Sequence, residues 1–394
     1  MRKLVLISLL IAFIFAPAFV SLAADKKVDF YGRARVFTII DKVSEEKAGL
    51  NGVDNSDVSW IGGYNGRFGV NFDTGANVTG KVELGIGYDN LQTDSTKGWK
   101  DNRVATRHVY GKWNFGMGSF IVGQTSGAAD NFIAMGDAWW AAVGDSGDFD
   151  GVGRAPGLQL EFPVGGGTLQ IGAFNNHAID VPADLIPTGW AGDVEHGLPR
   201  IEIGYAKTIG IFDFAIVGDY QKLGYRGIDP TKHEYSVDVT SNAIAGVFGV
   251  DLKPVYLKAQ IWTGKNLPEG AFAGGDDAAI DFSGDFTDLD NIKTYDTDYL
   301  GYGLKATFTV NDKAKVNAGY FHVEAEQGVE AVTYNESSDV FYIQAPFTLA
   351  PGVLMCPEIA RKSFGDSEVT SGGTTSKTEN GDETIYGIYW QIAF

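Results

Sequence analysis

The sequence predicts a transmembrane antiparallel β-barrel of about 16 strands. Three observations predict it. Apolar and polar residues alternate at period two over segments of about ten residues. The connections between those segments are short and long in turn. No segment after the N-terminal one offers about 18 uninterrupted apolar residues, so crossing a membrane by helices is excluded.

The elements follow in chain order. "MRKLVLISLLIAFIFAPAFVSLAAD" carries Arg2 and Lys3, an apolar run and the small-residue site Ser21-Leu22-Ala23. It reads as a secretory signal peptide, residues 1–23, leaving 24–394 as the barrel. An N-terminal anchor is the alternative, and the strand pattern that starts a few residues later argues against it. "VDFYGRARVFTII" sets Val28, Phe30, Gly32, Ala34 and Val36 on one face against Asp29, Tyr31, Arg33 and Arg35 on the other. "SWIGGYNGRFGVNFD" sets Phe68, Val70 and Phe72 against Arg67, Asn71 and Asp73, with Val70 read on the apolar side. "NVTGKVELGIGYD" sets Val82, Leu84 and Ile86 against Lys81 and Glu83. "RIEIGYAK", "GIFDFAIVGDY", "SNAIAGVFGVDL", "PVYLKAQIWTG", "DYLGYGLKATFTV" and "AKVNAGYFHVEA" read the same way.

A soluble β-sandwich also alternates. Here the strands are long, and Arg and Lys stand in mid-strand where a sandwich shows Thr and Ser. Tight turns are expected near 74–77, 115–118, 164–167, 251–254, 310–313 and 348–351, where Gly, Asn, Asp and Pro supply the geometry. Long loops are expected near 41–57, 91–102, 126–156, 176–197, 223–240, 265–297, 326–337 and 364–382. Both termini then lie on the short-turn, periplasmic side. Pro346 and Pro357 are expected at bulges or strand ends, because a ladder lacks a use for proline. The last strand, with Tyr386, Ile388, Trp390, Ile392 and Phe394 on its apolar face, should close onto the first.

Composition excludes several functions. The formal net charge is −19, which argues against nucleic acid as a partner. Cys356 is the only cysteine, so no disulfide within the chain, haem site or zinc pair can form. No metal or cofactor is called for. The acidic run "GGDDAAIDFSGDFTDLDN" lacks the spacing of a dedicated calcium loop. The five histidines are scattered and form no Ser-His-Asp constellation, so an enzyme is not expected. Without the signal peptide the formal charge is −21; the eight loops carry −24 of it, leaving +3 for strands and turns. The loops therefore form an acidic rim that divalent ions can bridge to lipopolysaccharide, around a slightly basic wall.

At "VDFYGRARV" and "GIYWQIAF" the chain resembles Gram-negative outer-membrane porins of the trimeric, general-diffusion type. "YIQAPFTLAPGVLMCPEIA" is similar, more specifically, to the homotrimeric porins of sulfate- and metal-reducing bacteria. The resemblance covers the whole mature chain. It implies a homotrimer in outer-membrane lipid, and a C-terminal signal, Tyr386 to Phe394, read by the barrel-insertion machinery. It also implies that loop 126–156, after the fifth strand, folds into the lumen as a constriction. The chain departs from enterobacterial porins in lacking a Pro-Glu-Phe-type turn there.

Loop 126–156 carries Asp130, Asp137, Asp145, Asp148 and Asp150 against one Arg154, and "FIAMGDAWWAAVG" is too apolar to stand in water. Trp139 and Trp140 are read as packing on the wall. Opposite it, parity turns Arg33, Arg35, Arg67 and Lys81 into the lumen. Arg103 and Arg107 join them only if a bulge reverses the parity set by Val109, Gly111 and Trp113. Lys258 and Lys305 also face inward, on distant strands. Such a pore passes small hydrophilic solutes and ions by diffusion, with weak cation preference. The alternatives are a channel specific for an anion or organic acid, and an adhesive barrel with a closed lumen.

Overall fold

The computed structural model describes residues 27–44, 55–62, 66–86, 104–135, 154–176, 191–195, 198–228, 234–267, 283–285 and 293–394. The segment read as a signal peptide lies outside the described residues.

Sixteen antiparallel strands make one closed sheet. β1 is Lys27–Val43. β2 has two segments, Asn55–Gly62 and Gly66–Asp73, paired with opposite halves of β1. β3 (Val78–Ile86), β4 (Val104–Asn114), β5 (Ser119–Ser126), β6 (Arg154–Val164) and β7 (Gly167–Phe174) form a sector of short strands. β8 has segments Ala191–Glu195 and Arg200–Ile209. β9 (Phe212–Ile228), β10 (Glu234–Asp251), β11 (Val255–Lys265), β12 (Thr297–Asn311) and β13 (Ala314–Val329) make a taller wall. β14 is Val332–Gln344 with Phe347–Ala350. β15 is Val353–Ser363 with Asp366–Ser371, and β16 is Thr374–Glu379 with Asp382–Ala393. A separate small hairpin pairs Ser283–Asp285 with Lys293–Tyr295.

The sheet closes where β16 pairs with β1, from Arg33 opposite Ala393 to Val43 opposite Glu383. The last residue takes part. Gly32 N–H donates to the Phe394 carbonyl at 2.8 Å, and Phe394 N–H donates back to Gly32 at 3.0 Å. A closed ladder leaves no sheet edge, which is the condition for a sheet to sit in lipid.

The outer face is apolar, as the alternation predicts. Phe30, Ile216, Ile261, Leu304, Phe341 and Ile392 are all more than half exposed to the outside. On β12–β14 the outer face carries Tyr302 and Tyr320, beside which His322 Nδ1 lies 2.9 Å from Asp339. Aromatic rings followed by ionisable groups mark the level where hydrocarbon gives way to head groups.

The tight turns fall where expected. Pro346 sits in the break of β14, as predicted, but Pro357 stays within the ladder of β15 opposite Ile388. Its carbonyl accepts from Ala345 N–H at 3.0 Å, so its missing donor faces the interrupted part of β14. No ladder bond is lost there.

Three expected loops are largely strand. Residues 223–228 pair with 234–239 in the β9–β10 hairpin. Gln327 to Val329 pairs with Val332 to Tyr334. Asp366–Ser371 pairs with Thr374–Glu379. The polar residues that read as loop belong to strands rich in Asp, Glu, Ser, Thr and Gly, which blur the period-two contrast. In the last hairpin, Lys377 contacts Glu368 and lies 3.9 Å from Asp366. Hydrogen bonding to Glu368 raises its ammonium pKa.

The lumen face is mixed rather than uniformly polar, with apolar side chains buried among Asp219, Gln221, Gln260, Lys305 and Asn317. Val217, Val247, Trp262, Phe321, Tyr342, Tyr389 and Phe37 point inward and are buried. Tyr342 lies flat over Gly319 of the neighbouring strand, where a methyl group would overlap its ring. Gly319→Ala is expected to lower barrel stability by about 1–3 kcal/mol, read by urea unfolding in lipid vesicles. An unchanged midpoint and slope would show that this inner contact does not matter.

Candidate functional site

The site is the lumen, and its first part is a turn of backbone folded into it. Directly after β5, residues 127–135 turn into the barrel. Ala129–Ile133 forms one π-turn against the inner face of β8, β9 and β10. Its open helix N-terminus is satisfied by the wall: Ala129 N–H donates to Glu202 Oε1 at 2.6 Å. Gly127 permits that approach, because a Cβ there would overlap the Glu202 carboxylate. The far end is held by cations and amides. Lys258 Nζ donates to the Ala134 carbonyl at 2.7 Å, Gln260 Nε2 to Ile133 at 2.9 Å, and Lys305 Nζ to Met135 at 3.0 Å. These are the orphan carbonyls at a helix C-terminus, where positive charge is favourable. Ala128, Ala129, Ile133 and Met135 pack into the apolar part of the inner wall. That seat gives the turn a dry surface to rest on between the polar groups that hold its two ends.

Glu202 belongs to a buried group. Arg200 Nη2 lies 3.1 Å from Glu202 Oε2, and Arg200 Nε lies 3.3 Å from Asp219 Oδ2. All three side chains are almost fully buried. The arrangement fixes Glu202, and through it the start of the turn. Beneath the turn, Phe132, Lys207, Asp213, Tyr256 and Lys258 border a cavity of about 570 Å³ near the short turns.

The second part is a basic wall on β1–β4. Arg33 and Arg35 face inward from β1, and Arg35 Nε donates to Gln391 at 3.0 Å while lying over the Tyr389 ring. Arg107 faces inward as well, because β4 carries the required bulge. Glu83 pairs with His108 and Leu84 with Thr106, so Arg107 is the extra residue. Arg107 Nε donates to Glu83 Oε1 at 2.9 Å. Arg67 Nη1 lies 3.6 Å and Lys81 Nζ 3.4 Å from the same carboxylate. Tyr31 O–H donates to it at 2.6 Å.

Of the residues that parity turns inward, Arg67 and Lys81 lie beside Glu83 and Arg35 lies over Tyr389. Arg103 lies outside the described residues. So do Asp137, Trp139, Trp140, Asp145, Asp148 and Asp150 of the loop. Asp130 is described and lies, partly buried, on the π-turn, on the β8–β10 side rather than against β1–β4. Sequence reading missed Glu83, although it shares the inward face with Lys81. It also missed the use of Lys258 and Lys305 as anchors. Their inward parity was visible, but their partners are carbonyls, which no sequence pattern marks.

A closed barrel with an apolar belt and a charged interior defines an integral β-barrel of the Gram-negative outer membrane. No protein-family model matches the chain, and no curated protein matches it in sequence. Solved structures do. The chain is similar to the outer membrane channel DcaP of Acinetobacter baumannii, at 14% identity and TM-score 0.65, over 95% of this chain and 99% of that one. It is similar to the trimer form of OmpT, an outer membrane protein of Vibrio cholerae, at 15% identity and TM-score 0.60, over 94% and 99%. It is also similar to an anion-selective porin from Comamonas acidovorans, at 12% identity and TM-score 0.59, over 94% and 100%. At these identities the likeness shows the fold.

The anchoring of the turn is testable without any transport assay. Replacing Lys258 and Lys305 together by Met removes two hydrogen bonds of a charged donor, each about 1.5–3 kcal/mol. The amides of Ala129, Asn131 and Ala134 should then exchange at least roughly tenfold faster in the folded barrel. Unchanged exchange would show that the lysines do not hold the turn.

Proposed function

We propose that this protein is a porin: a water-filled channel through which small hydrophilic solutes and ions cross the outer membrane by diffusion. The observation that carries the reading is the turn at 127–135, seated inside a closed barrel opposite charged side chains. An inward loop narrows a pore without plugging it, and charged walls keep it wet. No energy source and no chemistry are needed. Solutes pass by exchanging part of their hydration for polar wall groups.

The finer reading follows the resemblance to homotrimeric porins of sulfate- and metal-reducing bacteria. The chain then works as a homotrimer, after export by the signal peptide 1–23. The strand ending Tyr386, Ile388, Trp390, Ile392 and Phe394 serves as the signal for the insertion machinery. The acidic rim holds divalent ions against lipopolysaccharide. The rest of the constriction loop, with Asp137, Asp145, Asp148 and Asp150, sets acids across the eyelet from Arg33, Arg35, Arg67, Lys81, Arg103 and Arg107. The loops carry more charge than the wall but stand in salt water, where the Debye length is about 8 Å. The balance is a weak preference for cations. The second reading, a channel specific for an anion or organic acid, is favoured by the concentration of cations on β1–β4. It differs in requiring conductance that saturates and that the ligand blocks.

Purified protein in a planar bilayer under a tenfold KCl gradient tests the reading. Discrete current steps arriving in threes are expected, with a reversal potential on the cation side. Insertion without steps would overturn the channel reading. A reversal potential on the anion side would overturn the cation preference and favour the second reading.

A further inference from the structure

We propose that Glu83 is the residue that sets the sign of ion selectivity in this lumen; the inference rests on the channel reading above. Glu83 stands on β3 at the centre of the basic wall. Arg67, Lys81 and Arg107, from β2, β3 and β4, all lie within 3.6 Å of its carboxylate, and Tyr31 of β1 donates to it. His108 Nε2 is 3.9 Å away. Its own side chain is 1% exposed. One carboxylate therefore touches groups from four neighbouring strands.

Two consequences follow from this geometry. The first is electrostatic. Three cations brought this close repel one another, and the shared carboxylate both offsets that repulsion and subtracts one charge from the wall. The second is positional. Arg107 comes from the bulged residue of β4, whose backbone does not by itself fix where the guanidinium goes. Its Nε bond to Glu83 at 2.9 Å fixes it, while Lys81 reaches the same carboxylate and lies over the Tyr31 ring. Glu83 is thus a positioning residue for Arg67, Lys81 and Arg107, and it keeps their combined field from making the pore anion-preferring.

Replacing Glu83 by Gln keeps the size and an acceptor oxygen but removes the charge. Reversal potentials are measured for wild type, E83Q, E83D and R67Q in planar bilayers, under tenfold KCl gradients centred near 0.1 M and near 1 M. For E83Q the chloride-to-potassium permeability ratio should rise about three- to fivefold at low salt, the effect of one unit charge a few ångströms from the path. The rise should shrink strongly at high salt, where the Debye length is about 3 Å. E83D should restore the wild-type ratio, and R67Q should move it in the opposite direction. An E83Q ratio equal to wild type, or one that leaves the sign of selectivity unchanged at low salt, overturns the inference. A change that persists undiminished at high salt also overturns it, because it would come from a rearranged wall rather than from charge. If E83Q does not insert, Glu83→Ala is measured in its place: a ratio equal to wild type, or an unchanged sign, overturns the inference. If wild type itself carries no current, the channel reading fails instead.

Discussion

Every backbone donor and acceptor inside a membrane must find its partner within the protein, and the ladder between β16 and β1 is what makes that true here. Eleven residues of β1 pair with β16, from Arg33 to Val43, and the chain's last residue exchanges two hydrogen bonds with Gly32. Without that seam the sheet would have two bare edges in hydrocarbon. With it, the outer residues are free to be apolar and the inner ones to be anything the lumen requires. The terminal alternation ending in Phe394 is the sequence trace of this one constraint.

The interior divides into two walls with different physics. On β8–β12 the wall receives backbone: Glu202 caps the start of the π-turn, and Lys258, Gln260 and Lys305 hold carbonyls at its end. The apolar residues beneath it exclude water and strengthen those bonds. On β1–β4 the wall is a set of cations gathered around Glu83. The two walls use charge in opposite ways. The lysines of the first are consumed in holding a loop, whereas the arginines of the second line the inner surface of β1–β4. Counting inward cations alone would have merged them.

Much of the fold was legible because period-two contrast is a direct record of lipid on one face and water or protein on the other. That record fails where polar residues or glycine occupy both parities. The paired segments 223–228 with 234–239, 327–329 with 332–334 and 366–371 with 374–379 carry polar residues or glycine on both sequence parities, so they read as loops. It fails again inside the barrel, where Trp262, Phe321 and Tyr342 face inward in the apolar cluster that also takes in Ala129 and Ile133 of the turn. The lumen residues on β1–β3 were legible from parity. Arg107 needed a bulge that parity could call for but not place. Glu83 was overlooked because a single acid on a mixed strand looks like any solvated residue until the four strands around it are assembled. Lys258 and Lys305 were seen to face inward, yet a lysine that binds a carbonyl looks the same in sequence as one that binds water.

The proposed channel is passive, loop-narrowed and water-filled. The measurement that tests it most directly is the swelling of vesicles carrying the purified protein in isosmotic neutral sugars of increasing size. The account predicts swelling that slows smoothly as the sugar grows, in proportion to concentration and without saturation. No swelling beyond that of protein-free vesicles, or uptake that saturates for one sugar alone, would contradict it.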